Sequence, residues 1–190
     1  MADVAFYFDP VCPFAWMTSK WVRVVRRERG YDVEWKLISL RLLNAHVDYD
    51  AEFPPEYPAS HTAGLRLLRV VAKARAEHGT EIVDPLYEAL GAQTFEREPV
   101  ADDAARARRG TRIFATEALT RVGLPSALAD ALDDESWDAA IQAETDEALS
   151  LTGKDVGTPI LHFQPPEGVA FFGPVISRLP PCQSLSLIHI

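Results

Sequence analysis

The feature that most constrains this chain is a cysteine set between a short apolar run and an amphipathic stretch. Residues 4–8 read Val-Ala-Phe-Tyr-Phe, a nearly continuous apolar segment of the kind a strand buried on both faces requires. Asp9-Pro10 ends it, and a helical pattern follows over 13–28, with Trp16, Trp21, Val24 and Val25 as its apolar positions. Pro13 suits a first helical position, where a missing N–H is harmless, and Gly30 suits the residue just past the helix end. Cys12 therefore falls at a strand-to-helix junction, with its sulfur facing unpaired N–H groups and the positive end of the helix dipole. Such groups favour thiolate over thiol, and cysteines so placed have pKa values of roughly 3.5–7.5. The sequence thus predicts a low-pKa nucleophile at Cys12.

The rest of the chain is read around that junction. Residues 33–40 form a second strand, and strand–helix–strand at this spacing favours a parallel pair. Residues 42–58 are loop-like, with Pro54, Pro55 and Pro58. Residues 62–150 are mostly helical in pattern. One helix carries Leu65, Leu68 and Ala72 and stops near Gly79; another opens at an Asp84-Pro85 cap. A third spans 103–122, a short one follows Pro125, and a last one after Asp134 carries Trp137, Ile141 and Ala148. Short strands return at 160–163 and 169–172, joined by the turn Gln164-Pro-Pro-Glu-Gly168. The predicted plan is one α/β domain over 1–180: a small sheet interrupted by a helical insertion at about 62–150.

Residues 181–190, ending Ser-Leu-Ser-Leu-Ile-His-Ile, break the pattern. They are expected to be a non-native tail, Cys182 included, standing where a final helix is truncated.

Composition excludes several classes. The net charge of −9 argues against nucleic-acid or anionic-membrane binding. The run Arg106, Arg108, Arg109 and Arg112 is a local exception, read as a solvated helix face. No apolar run approaches the roughly 20 residues of a membrane helix, and no secretory signal is visible, so a cytoplasmic location is expected. Two cysteines exclude a disulfide scaffold. The five histidines show no metal-ligand spacing, and no phosphate-binding or serine-nucleophile motif occurs. Asp9, just ahead of Cys12, is read as a turn former rather than a proton handler. A second signal lies at Val156-Gly-Thr-Pro159, just before a predicted strand. By resemblance to thioredoxin folds, a cis proline at this point lies beside the active cysteine, so the backbone of Thr158 and Pro159 is expected to hold an extended substrate next to Cys12.

With these pieces in place the chain resembles the DsbA family, most closely the actinobacterial mycothiol-dependent nitroreductase group. The resemblance rests on Phe8-Asp-Pro-Val-Cys-Pro-Phe-Ala-Trp16, Ser39-Leu-Arg-Leu-Leu-Asn44, Asp84-Pro-Leu-Tyr87, Asp155-Val-Gly-Thr-Pro159 and Val169-Ala-Phe-Phe-Gly-Pro174. It spans about residues 4–180. It implies a thioredoxin fold and thiol–disulfide chemistry with mycothiol or glutathione as co-substrate, extending to disulfides or nitro compounds as substrates and with no tightly bound cofactor. It also implies that Asn44 and Tyr57 lie near the substrate pocket. One departure matters: the usual Cys-x-x-Cys is here Cys12-Pro13-Phe14-Ala15. Ala15 cannot resolve a mixed disulfide, so a single-thiol mechanism resolved by an external thiol is expected. Two alternatives stay open: a glutathione-dependent isomerase of the 2-hydroxychromene-2-carboxylate type, and a redox-inactive binding module.

Overall fold

A computed structural model describes residues 2–96, 103–153 and 155–178. Strand β1 (Val4–Phe8) leads into helix α1 (Pro13–Arg29) and strand β2 (Val33–Leu37). Short helices α2 (Leu40–Leu43) and α3 (Tyr49–Glu52) precede the long α4 (Tyr57–His78), followed by α5 (Val83–Phe95), α6 (Asp103–Arg108), α7 (Arg112–Arg121) and α8 (Asp138–Thr152). Strands β3 (Ile160–Phe163) and β4 (Ala170–Phe172) close the described chain.

The sheet order is β2-β1-β3-β4. β1 pairs β2 in parallel, Val4 opposite Val33 and Phe8 opposite Leu37, and pairs β3 antiparallel, Tyr7 opposite Ile160. β1 is therefore central, which explains its unbroken apolar run. Val4, Phe6 and Phe8 enter the main core with residues of α1, α4 and α5, while Ala5 and Tyr7 join a smaller core with Ile160 and Ala148 of α8. All five residues of β1 are buried.

Helix α1 begins and ends as its sequence predicts. Pro13 occupies its first turn, and Gly30 takes a left-handed φ of 72° while its N–H bonds the Arg26 carbonyl at 2.8 Å. Other boundaries are corrected. The second strand stops at Leu37 rather than residue 40, because Ser39 caps α2 by accepting the Leu42 N–H. The loop expected over 42–58 contains α3 and the first turn of α4, where Pro58 follows Tyr57 in a position that tolerates proline. The helix expected over 103–122 breaks at Gly110 (φ 72°), packed on Ala63, and restarts at Thr111, whose hydroxyl accepts the Phe114 N–H. α5 opens at Val83, so Asp84 is not its cap. Instead the Asp84 carboxylate takes Arg23 at 2.8 Å and Arg26 at 2.8 Å, tying α5 to α1. The expected tail at 181–190, with Cys182, lies outside the described residues. Among the described residues, no helix is long and apolar enough to cross a membrane.

Candidate active site

Cys12 is the N-cap of α1. Its own backbone is extended (φ −83°, ψ 115°), its carbonyl accepts the Trp16 N–H at 3.0 Å, and its sulfur accepts the Ala15 N–H at 3.4 Å. The cap position that serine or aspartate usually fills is held by a thiol. Across from it the thiol donates to the Thr158 carbonyl oxygen at 3.4 Å. The Thr158–Pro159 peptide is cis, and the Pro159 carbonyl accepts the Gly173 N–H at 2.8 Å, anchoring this turn to the chain beyond β4. The Thr158 hydroxyl is buried and has no hydrogen-bond partner among the described residues, so it is free to donate to sulfur when a thiolate forms.

The expectation of a low pKa at Cys12 is corrected. The residue is only 5% exposed, and its burial pushes the thiol up; Thr158 and the backbone N–H groups of Ala15 and Phe14 pull it down, and the Asp9 charge adds to the rise. The helix N-terminus does act on the sulfur, but desolvation outweighs it, and among the described residues no cation offsets the loss of water. Asp9 does form the turn, its carboxylate accepting the Val11 N–H at 3.0 Å, and it also accepts the Leu40 N–H at 2.8 Å. It is fully buried, and burial pushes its pKa up to about 7 against the pull of those two bonds.

The surroundings of Cys12 differ residue by residue. Phe14 is 42% exposed beside it, whereas Ala15 is buried against the core. Asn44 turns its amide back to the Leu40 carbonyl at 2.8 Å, as the closing residue of α2. Tyr57 stacks on Phe53 with ring centroids 5.5 Å apart and lies 5.3 Å from the His61 ring. The structure thus brings Cys12, Ala15, Thr158 and Pro159 together, while Asn44 and Tyr57 make their bonds and ring contacts within the α2–α4 segment. Arg106, Arg108 and Arg112 of the basic run are exposed, as a solvated face requires, and Arg109 is half-buried. Arg108 pairs with Glu117, Arg112 pairs with Asp130, and Arg109 bonds the Thr94 carbonyl and lies over the Phe95 ring.

Several supporting residues were not singled out as site residues from the sequence. Tyr87, fully buried, stacks on Phe8 at 3.8 Å and meets Trp16 edge-on at 6.0 Å. Gly91 leaves room for the Trp16 ring, which a Cβ there would overlap at 2.1 Å. His61 is buried with its Nδ1 3.0 Å from the Tyr49 hydroxyl, and burial, helped by the Arg41 charge, holds its pKa down at about 4. Tyr87 belongs to the Asp84-Pro-Leu-Tyr87 motif, which could have marked it. Gly91 acts through a contact with Trp16, remote in sequence, and His61 through a ring cluster with Tyr49, Phe53 and Tyr57.

Residues 11–188 match the family model described as Rv2466c-like, mycothiol-dependent nitroreductase Rv2466c. The protein Rv2286c of Mycobacterium tuberculosis, described as uncharacterized, is 32% identical over 177 residues, spanning 93% of this chain and 69% of that protein. Two solved structures, described as candidate protein-disulfide isomerases, share the fold. The one from Pseudomonas syringae has a TM-score of 0.52 at 18% identity, covering 96% of this chain and 90% of its own. The one from Nitrosomonas europaea has a TM-score of 0.54 at 13% identity, covering 97% and 95%. The chain belongs to the Rv2466c-like mycothiol-dependent nitroreductase family, a family of thiol-dependent oxidoreductases, and has a DsbA-like thioredoxin fold.

Proposed function

We propose that the protein carries out thiol–disulfide exchange through Cys12 alone, with a mycothiol disulfide loading it and a second small thiol clearing it. The observation that carries this reading is the pairing of Cys12 at the helix N-cap with Ala15 one turn on, where a second thiol would otherwise sit. The Cys12 thiolate attacks one sulfur of a small disulfide. A Cys12–thiol mixed disulfide forms, and the other half leaves as a thiolate that takes up a proton. An external thiol then attacks the mixed disulfide, regenerating Cys12 and releasing a new small disulfide. The Ala15 N–H and the Thr158 hydroxyl stabilise the sulfur anion at each stage. The Thr158 carbonyl lies where a bound thiol's own N–H groups can dock. A lone reactive cysteine fits a reducing, cytoplasmic setting, where small thiols are abundant.

The test uses Cys182→Ser protein to leave a single thiol. It is incubated separately with oxidised mycothiol and oxidised glutathione and followed by intact mass. An adduct on Cys12 that forms faster with the mycothiol disulfide supports the reading. No adduct with either disulfide overturns it and favours a redox-inactive module.

A further inference from the structure

Among the described residues, Asp9 is a fully buried carboxylate held by backbone N–H groups rather than by a cation. Its Oδ1 accepts from Val11, the residue before Cys12, and its Oδ2 accepts from Leu40, the first residue of α2. The Leu40 carbonyl in turn accepts the Asn44 amide at 2.8 Å and, more weakly, the Tyr49 hydroxyl at 3.5 Å; Tyr49 continues to His61 on α4. α4 also reaches Asp9 directly. Gly64 packs so closely that a Cβ there would lie 2.6 Å from Oδ1 and 2.8 Å from Val11 Cγ2. One carboxylate thus joins three parts of the fold: the cysteine turn, the start of α2 and the middle of α4.

We propose that Asp9 is a positioning residue, a clamp that couples the setting of the Cys12 turn to the α2–α4 segment carrying Asn44 and Tyr49. It rests on Cys12 being the reactive group. The Val11 N–H, buried, and the Leu40 N–H, part-buried, need an acceptor each, and a carboxylate supplies both from one side chain. An amide in its place accepts with one atom only and turns an NH₂ group toward the other N–H. The charge of Asp9 is also felt by the Cys12 thiol on its own turn and by the Tyr87 phenol from α5, while α4 presents the uncharged Gly64.

The test compares native protein, Asp9→Asn, Asp9→Ala, Gly64→Ala and the double variant Asp9→Ala/Gly64→Ala, all with Cys182→Ser. Alkylation of Cys12 by iodoacetamide is followed against pH, together with steady-state exchange between oxidised mycothiol and glutathione as the clearing thiol. With Asp9→Asn the alkylation midpoint is expected to fall, because a negative charge near sulfur is gone. The KM for the disulfide is expected to rise about tenfold with kcat changed less, as one charge-assisted bond holding the α2 side is lost. Gly64→Ala should raise KM in the same direction by displacing the carboxylate. The double variant should lose less thermal stability than the sum of Asp9→Ala and Gly64→Ala, since the new methyl fills space the carboxylate left. Unchanged midpoint and KM in Asp9→Asn, or additive stability losses, would overturn the clamp. Should Asp9→Asn not fold, Gly64→Ala and the additivity measurement decide. Absence of any adduct on native Cys12 would sink the exchange reading, and the alkylation midpoints and stabilities would still decide the clamp.

Discussion

The Cys12 sulfur lies 3.4 Å from the carbonyl oxygen of Thr158, a residue 146 positions further along the chain. The contact joins the C-terminal end of β1 to the start of β3, which pair antiparallel at Tyr7 and Ile160. It also sets the unpartnered Thr158 hydroxyl in the environment of the sulfur. Replacing Thr158 by valine keeps the backbone carbonyl and removes only that hydroxyl. The Cys12 alkylation midpoint should rise by about one pH unit, since a donor to the thiolate is lost. Stability should hold or rise by about 1 kcal/mol, because burying a hydroxyl without a partner costs free energy that a methyl does not. An unmoved midpoint would show that the hydroxyl does not reach the thiolate.

Native Cys12 itself should titrate at or above the free-thiol value of about 8.5. Burial favours the neutral thiol over the anion, so its reaction with iodoacetamide should keep accelerating as pH rises past that value. A midpoint below about 7 would mean that the helix N-terminus and Thr158 outweigh desolvation.

Asp9 should leave a signature in stability against pH. Its folded pKa of about 7 lies above the ordinary carboxylate value of 3.8, so between those values the folded state binds more of a proton than the unfolded state. The stability this contributes is fully present below about pH 4 and is lost as pH rises through about 7. Measured by denaturant unfolding, the native protein should lose a few kcal/mol relative to Asp9→Asn between about pH 4 and pH 8. A difference between the two that does not vary with pH would exclude the raised pKa.

Gly91→Ala tests the support beneath the cysteine helix. Alanine favours a helix interior over glycine by about 1 kcal/mol. Here its methyl would overlap the Trp16 ring, and overpacking of that kind costs about 1–3 kcal/mol. The expected result is a lower Tm and a changed tryptophan emission. A raised Tm would show that Trp16 moves aside freely.

Ala15→Cys restores a second thiol one turn from Cys12. A labelled small thiol loaded on Cys12 should then leave without added thiol, at least about tenfold faster than from the native protein, through an intramolecular attack. A disulfide between Cys12 and the introduced sulfur should remain afterwards and be visible by mass. Equal release rates would mean that another group already clears the adduct.

What could be read locally was legible from the residues alone. The extent of β1, the start of α1 at Pro13, its end at Gly30 and the β3–β4 turn are set by apolar runs, proline at a first turn and glycine past a helix end, all of which act within a few residues. Cys12 and Thr158-Pro159 stood out for the same reason, each lying at a local junction. The end of β2 and the true start of α4 did not, because Leu40 is drawn out of the strand by the Asp9 carboxylate and Tyr57 packs into a ring cluster with Phe53 and His61. The break at Gly110 depends on Ala63 of another helix. The largest reversal concerns the thiol. Sequence places Cys12 at a helix N-terminus, and that alone predicts a depressed pKa. Only the folded chain decides how much water reaches the sulfur, and with Cys12 5% exposed and Asp9 buried nearby, desolvation exceeds the pull of the helix.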